Sequence, residues 1–181
     1  SKIAAAPKRI SAEFMFPYLA HAPMEPLNCL IDLRDDGCKL HAGSQFQTID
    51  QAAVAKVLGL KPEQVEFHTM MAGGGFGRRA VPSSDYLAEA AQIAKAWRAS
   101  GAKGPLKVVW SREDDIRGGY YRPMHLHRAE IGFDAEGKVL GWKHTIVGQS
   151  IITGTPFEAF MVKNGVDASM TEGIVDTPYA L

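Results

Sequence analysis

The run Gly73-Gly74-Gly75-Phe76-Gly77-Arg78-Arg79 holds the chain's densest concentration of potential chemistry. Glycines let backbone N–H groups come close to a ligand, and several in a row can form an anion cradle. Arg78 and Arg79 would add charge for a phosphate. Two familiar phosphate loops do not fit. The fingerprint G-x-G-x-x-G needs other spacing and a helix that opens inside it, whereas the next helical pattern starts only near residue 84. The P-loop needs Gly-Lys followed by Ser or Thr, which the run lacks. A glycine-rich bend where two elements pack closely accounts for the same residues, so the run alone leaves both readings open.

Other residues could also do chemistry. His125 and His127 lie two apart on one face of a predicted strand, and an H-x-H pair can bind zinc or iron. No cysteine or carboxylate cluster completes such a site, and a polar sheet face is the plainer reading of the pair. His21 and Glu25, in "HAPMEP", could be a base and its orienter, or could satisfy the backbone of a proline-rich loop. The charge run Arg112–Arg117 reads as a helix start, a subunit contact or a solvated loop.

Composition narrows the classes. With 20 basic and 20 acidic residues the 181-residue chain carries no net formal charge, so no global field draws it to nucleic acid or an anionic membrane. No apolar run reaches the ~18 residues of a membrane span, and Ser1–Pro7 lacks the apolar core of a leader. Cys29 and Cys38 flank a hairpin signal. A two-residue turn at Asp36-Gly37 would set Asp35 opposite Cys38 and leave the cysteines unopposed, as free, buried thiols.

These residues need elements to hold them. Residues 17–28, broken by Pro17, Pro23 and Pro26, read as an ordered connection. Cys29 to Ser44 reads as the hairpin. "TIDQAAVAKVLGL" predicts a helix with a Thr48–Gln51 capping box and Gly59 as a left-handed stop. "VEFHTM" alternates as a strand does. "SSDYLAEAAQIAKAWRASG" predicts the clearest helix, with Ser84 as N-cap and Leu87, Ala90, Ala91, Ala94 and Trp97 on one face. "PLKVVWS" is a short strand, and residues 125–150 form a long hairpin turning at "DAEG". Residues 151–181 show no strong period. The sum is an α+β fold of mixed sheets with two main helices.

Five stretches in order, "AHAPMEP" (20–26), "GSQFQTIDQAAVAKVLGL" (43–60), "GGGFGRR" (73–79), "SREDDIRGGYYRP" (111–123) and "GFDAEGKVLGW" (132–142), resemble the molybdenum-binding subunit of the xanthine dehydrogenase/aldehyde oxidoreductase family. GGGFGRR, where the family commonly has GGGFGGK, is similar to the isoquinoline 1-oxidoreductase beta-subunit branch. The resemblance implies a molybdenum–molybdopterin cofactor, with a cytosine dinucleotide form as one of its variants. It also implies that Gln45 donates its side-chain amide to an oxo ligand on molybdenum, 31 residues before Phe76. It extends the cofactor contact to Gly74, Gly75, Phe76, Gly77 and Arg78. For Arg78 and Arg79, phosphate contact and a structural ion pair stay open.

The same resemblance implies a molybdenum hydroxylase acting on N-heteroaromatic or aldehyde substrates with water as oxygen source, passing electrons to a [2Fe-2S] partner subunit. A purine is disfavoured. Ala80 stands where purine-oxidising members carry a glutamate, and alignment on Tyr179 places Met170 where they carry an arginine. The family's general base lies beyond these residues, so no catalytic residue and no protein metal ligand is assigned here. Residues 1–181 read as a single partial cofactor-binding domain, expected alone to be inactive and to retain no cofactor. Periplasm and cytoplasm both stay open. The alternative is a non-catalytic binding module that keeps the scaffold without the chemistry.

Overall fold

A computed structural model describes residues 2–177. In chain order the elements are α1 (Lys2–Ala5), β1 (Lys8–Phe16), β2 (Asn28–Leu33), β3 (Cys38–Ala42), α2 (Gln47–Leu58), β4 (Val65–Thr69), α3 (Asp85–Ala99), β5 (Leu106–Val109), α4 (Arg112–Arg117), β6 (His125–Phe133), β7 (Val139–Gly148), α5 (Glu158–Met161), β8 (Val162–Lys163) and β9 (Val166–Asp167). This is the expected α+β fold, with α2 and α3 as its long helices. The chain divides into two compact units, residues 20–121 and residues 2–19 with 122–177.

Residues 20–121 form a four-stranded sheet in the order β4-β3-β2-β5. The β3–β4 pair is parallel and the other two pairs are antiparallel. A parallel pair needs a crossover of a dozen or more residues, and α2 supplies it. Alternation sends Cys29, Ile31, Cys38, Leu40 and Val65 to one face of the sheet, where they pack with Val54 and Ala55 of α2 and Leu87, Ala90, Ala91 and Ala94 of α3. Three alanines on α3 let the helix backbone lie close to the sheet. Both cysteines are free and buried in this core. Burial pushes the Cys29 thiol up to about 12, so it packs as a small apolar group.

Four local expectations need correction. The β2–β3 turn sits one residue earlier than expected: Arg34 donates its backbone N–H to the Gly37 carbonyl at 2.8 Å, and Leu33, not Asp35, lies opposite Cys38. Gly37 serves a close approach instead, since a Cβ there would fall 2.6 Å from the Gln64 carbonyl oxygen. The Thr48–Gln51 box does not form. Helix α2 opens at Gln47, and Gln51 donates to the Val65 carbonyl at 2.8 Å. Ser84 precedes α3 but makes no side-chain cap bond there. Trp97 is 42% exposed, because the core-facing stripe of α3 ends at Ala94. Gly59 closes α2 in the left-handed conformation, as expected. "REDDIR" is the short helix α4, capped by Ser111.

The other unit is an antiparallel sheet in the order β1-β6-β7. Ile3 of helix α1 and Ala6 just after it pack on the sheet over Gly132 and Gly141, where a side chain would collide. The DAEG turn joins β6 to β7 as predicted, and the Asp134 carboxylate accepts the Lys138 N–H at 2.7 Å. The alignment position Tyr179 lies outside the described residues.

Leu87 is fully buried against β2, so Leu87→Ala is expected to destabilise its unit by roughly 2–5 kcal/mol. Denaturant unfolding followed by far-UV circular dichroism measures this, and a change under about 1 kcal/mol would contradict the packing described.

Candidate functional site

The parallel β3–β4 pair sets the site. Ala42 and Thr69 lie opposite each other, so both strands release their following loops at the same end of the sheet. One loop carries Gly43-Ser44-Gln45-Phe46, and the other carries residues 70–80. Met70 donates its N–H to the Ala42 carbonyl at 3.0 Å, which holds the loops side by side from their first residues. The connection through residues 20–27 closes against them: the Glu25 N–H reaches the Gly73 carbonyl at 3.2 Å, and the Gly73 N–H reaches the Glu25 carboxylate at 2.7 Å.

Gln45 is held twice. Its backbone N–H donates to the Arg79 carbonyl at 3.1 Å. Its side-chain Oε1 accepts the N–H groups of Gly77 at 3.2 Å and Arg79 at 3.3 Å. Two backbone donors on one end fix which end of the amide is oxygen. The Nε2 end is therefore a pure donor, on an exposed side chain, with no partner among the described residues. The turn that presents it is braced by Ser44, whose hydroxyl accepts the Phe46 N–H at 2.9 Å and donates to buried Asp50 at 2.5 Å. Burial raises the Asp50 carboxyl, and the Ser44 hydroxyl works against that.

Two glycines show why the run is bare. A Cβ on Gly75 would fall 2.4 Å from Gln45 Oε1, so the missing side chain is the space Gln45 occupies. Gly77 has φ +93°, a conformation L side chains rarely adopt. Phe76 between them has φ +55° and is 73% exposed. A non-glycine residue there costs about 1–3 kcal/mol, and such strain collects at ligand-facing positions.

The arginines enter the fold as ion pairs. Arg78 is buried and makes a bidentate bond to Asp85 at 2.9 and 2.7 Å, at the start of α3, with Trp110 and Tyr120 over its guanidinium. Arg79 has a side chain with no exposed surface. It donates to the carbonyls of Gly74 at 2.9 Å, Gly43 at 3.3 Å and Glu25 at 3.2 Å, and to the Glu25 carboxylate at 3.1 Å. The Tyr86 hydroxyl adds a 2.6 Å bond to the Gly43 carbonyl. Of the two readings open for Arg78 and Arg79, this geometry carries the structural one. Helix α4 tightens the rim: Arg112 donates to the carbonyls of Pro23 at 2.6 Å and Met24 at 2.8 Å.

Partial burial opposes ionisation of Glu25. The Gly73 N–H, the Asn28 amide and Arg79 outweigh it and hold the carboxyl below the usual glutamate range. Glu25 thus braces a loop, while His21 is half-buried beside it in the chain. Ala80 follows directly, its N–H on the Gly77 carbonyl. In the other unit His127 Nδ1 meets His144 Nε2 at 3.0 Å, and Met170 ends a short 3₁₀ turn. Among the described residues no group of three or more His, Cys, Asp or Glu is arranged to hold a metal ion.

A profile of the molybdopterin cofactor-binding domain matches residues 1–171. The chain belongs to the molybdopterin cofactor-binding domain family. The domain is 34% identical over 142 residues to the isoquinoline 1-oxidoreductase beta subunit of Brevundimonas diminuta, covering 77% of this chain and 17% of that protein. It is 32% identical over 150 residues to the molybdenum-binding subunit of an Escherichia coli aldehyde oxidoreductase, covering 82% and 19%. It thus spans less than a fifth of each relative's length. Its fold matches that of quinoline 2-oxidoreductase from Pseudomonas putida 86 with a TM-score of 0.63 at 18% identity, over 80% of this chain and 18% of that one.

The residues of this domain fit a molybdenum–pterin group. An oriented amide donor on the loop after β3 meets an exposed aromatic ring and unsubstituted backbone on the loop after β4. The resemblance located Gln45 and the glycine run. It did not locate Ser44–Asp50 or Glu25–Arg79, the pairs that set their geometry. The Ser-x₅-Asp spacing and the lone glutamate of "HAPMEP" are the only marks these leave in the sequence.

Two outcomes are expected. Gly75→Ala meets only the movable end of Gln45, so stability should change by no more than about 1–2 kcal/mol while Gln45 loses its bonds to Gly77 and Arg79. A Gln45 side-chain amide resonance unchanged by the substitution would contradict the packing. For Glu25, a lowered folded-state value means its stabilisation is full above the unfolded value, ~4.3, and is lost as pH falls through the folded value. Between those two values, acid unfolding curves should therefore be flatter in Glu25→Gln than in the parent chain.

Proposed function

We propose that this domain forms one wall of a molybdenum–molybdopterin cleft in an oxidoreductase that hydroxylates N-heteroaromatic or aldehyde substrates. The observation that carries this reading is the Gln45 amide, pinned through its oxygen and offering Nε2 beside exposed Phe76. A neutral amide donor suits a metal-bound oxygen, because it fixes the ligand's orientation without adding charge. When bound, the cofactor supplies the two-electron oxidation and the activated oxygen derived from water.

This chain's residues bind and orient. Gln45 holds an oxygen ligand by one directed hydrogen bond. Phe76 covers an edge of the cofactor region and excludes water there. The pinned 73–79 loop lets backbone come to contact distance where side chains would block it. Ala80, placing a methyl group where a purine-binding carboxylate would stand, leaves no charged anchor for a purine and favours a less polar ring or an aldehyde. The relatives' names, an isoquinoline oxidoreductase subunit and an aldehyde oxidoreductase subunit, support the two substrate classes. We further propose that electrons leave to an iron–sulfur partner subunit and that the cofactor carries a cytosine dinucleotide. Residues 1–181 alone offer one side-chain amide and one ring edge, too little to offset the entropy lost on association, so by themselves they should neither retain the cofactor nor turn over substrate.

The protein expressed from its complete reading frame, in a host that makes the cofactor, should carry molybdenum. It should oxidise quinoline-type rings or an aromatic aldehyde and leave xanthine untouched. Gln45→Leu should lower kcat by roughly 10²–10³, the effect of removing one preorganised donor. A pure, folded preparation without molybdenum and without activity on either substrate class would overturn the proposal.

A further inference from the structure

We propose that Glu25 is a positioning residue for Gln45. This rests on the reading of Gln45 as the group that faces the cofactor. Glu25 grips both ends of the segment 73–79. At one end its carboxylate accepts the Gly73 N–H at 2.7 Å, and its own N–H returns to the Gly73 carbonyl at 3.2 Å. At the other end the same carboxylate oxygen faces the Arg79 guanidinium at 3.1 Å, and the Glu25 carbonyl takes a further Arg79 bond at 3.2 Å.

Arg79 in turn carries the backbone that holds Gln45. Its N–H is on Gln45 Oε1 and its carbonyl is on the Gln45 N–H. The path from the Glu25 charge to the Gln45 amide therefore passes through one residue, by contacts of 3.3 Å or less. Glu25 is the carboxylate paired with Arg79, whose side chain has no exposed surface. An unpaired guanidinium cannot stay in that position, because a charge without water or counter-charge is strongly disfavoured. Asn28 completes the arrangement by fixing the other Glu25 oxygen at 2.7 Å. Exposure makes the device adjustable: the Glu25 side chain keeps about a third of its surface in water, while the group it holds has none. Phe76, at the middle of the clamped segment and in a strained conformation, keeps its place only while both ends are held.

The test reads Gln45 directly and needs no cofactor. In the 181-residue chain labelled with ¹⁵N-glutamine and ¹⁵N-glycine, the Gln45 side-chain amide should show the heteronuclear NOE of an ordered group. In Glu25→Gln, which keeps the shape and removes the charge, that NOE should fall to the value of exposed Gln92. The Gly73 and Gly77 amides should exchange about tenfold faster or more, the change that ~1.4 kcal/mol of local opening produces. Glu25→Asp should recover part of the order. Leu87→Ala, a core variant of the same unit, should lower stability and leave the Gln45 NOE unchanged. Should Glu25→Gln not fold, Asn28→Ala frees one Glu25 oxygen with the ion pair intact and should loosen Gln45 to a smaller degree. A Gln45 amide as rigid in Glu25→Gln as in the parent chain, or one loosened equally by Leu87→Ala, would overturn the assignment. Absence of molybdenum from the complete protein would overturn the proposed function and leave this assignment standing.

Discussion

A guanidinium without water holds this domain's functional end together. Arg79 brings a full charge into a place where solvent cannot reach it, and every donor it carries must find an acceptor there. The acceptors come from three separate segments: Gly74 in its own loop, Gly43 after β3, and the backbone and carboxylate of Glu25. Those segments are thereby fixed relative to one another. A lysine could not do this, since it lacks the planar fork of five N–H groups. Only part of the bare backbone follows from this: a Cβ on Gly73 would fall 2.6 Å from the Glu25 Cβ, and one on Gly43 would fall 3.1 Å from the Arg79 guanidinium.

The sheet decides where that convergence happens. Parallel pairing of β3 with β4 places two loops at one end, and the α2 crossover makes that pairing possible. Gln45 and Gly75 then compete for the same space, and the glycine yields it. The outcome is an amide whose oxygen is consumed inside the protein and whose nitrogen is not. Directed donation of this kind is what a group needs if it is to orient a metal-bound oxygen without changing its charge.

Local pattern was legible wherever the physics was local. Alternation marked the strands, 3.6-residue spacing marked α2 and α3, and Gly59 marked a helix end. The α+β class followed from their order. Misreadings arose where tertiary contacts overrode local preference. Gly37 reads as a turn former, yet its bareness serves the Gln64 carbonyl, and Ser84 reads as a cap but is buried in a left-handed bend. Trp97 continues the spacing of α3 past the point where the sheet still covers it. The arginine pair was ambiguous, because burial depends on partners 7 and 54 residues away. Gln45 has no local signature at all, and only the order of several motifs singled it out. The fold class was thus readable from periodicity. The site needed resemblance to find its residues and coordinates to show how Ser44, Asp50, Glu25 and Arg79 hold them.

The proposed function requires Gln45 to face the molybdenum centre with its amide nitrogen. The most direct measurement is a crystal structure of the protein from its complete reading frame, prepared with its molybdopterin. On that function, Gln45 Nε2 should lie within hydrogen-bond distance, about 3.2 Å or less, of an oxygen on the metal, with Oε1 still on the Gly77 and Arg79 N–H groups. A cofactor seated elsewhere, or a Gln45 amide more than roughly 5 Å from any ligand of the metal, would contradict it.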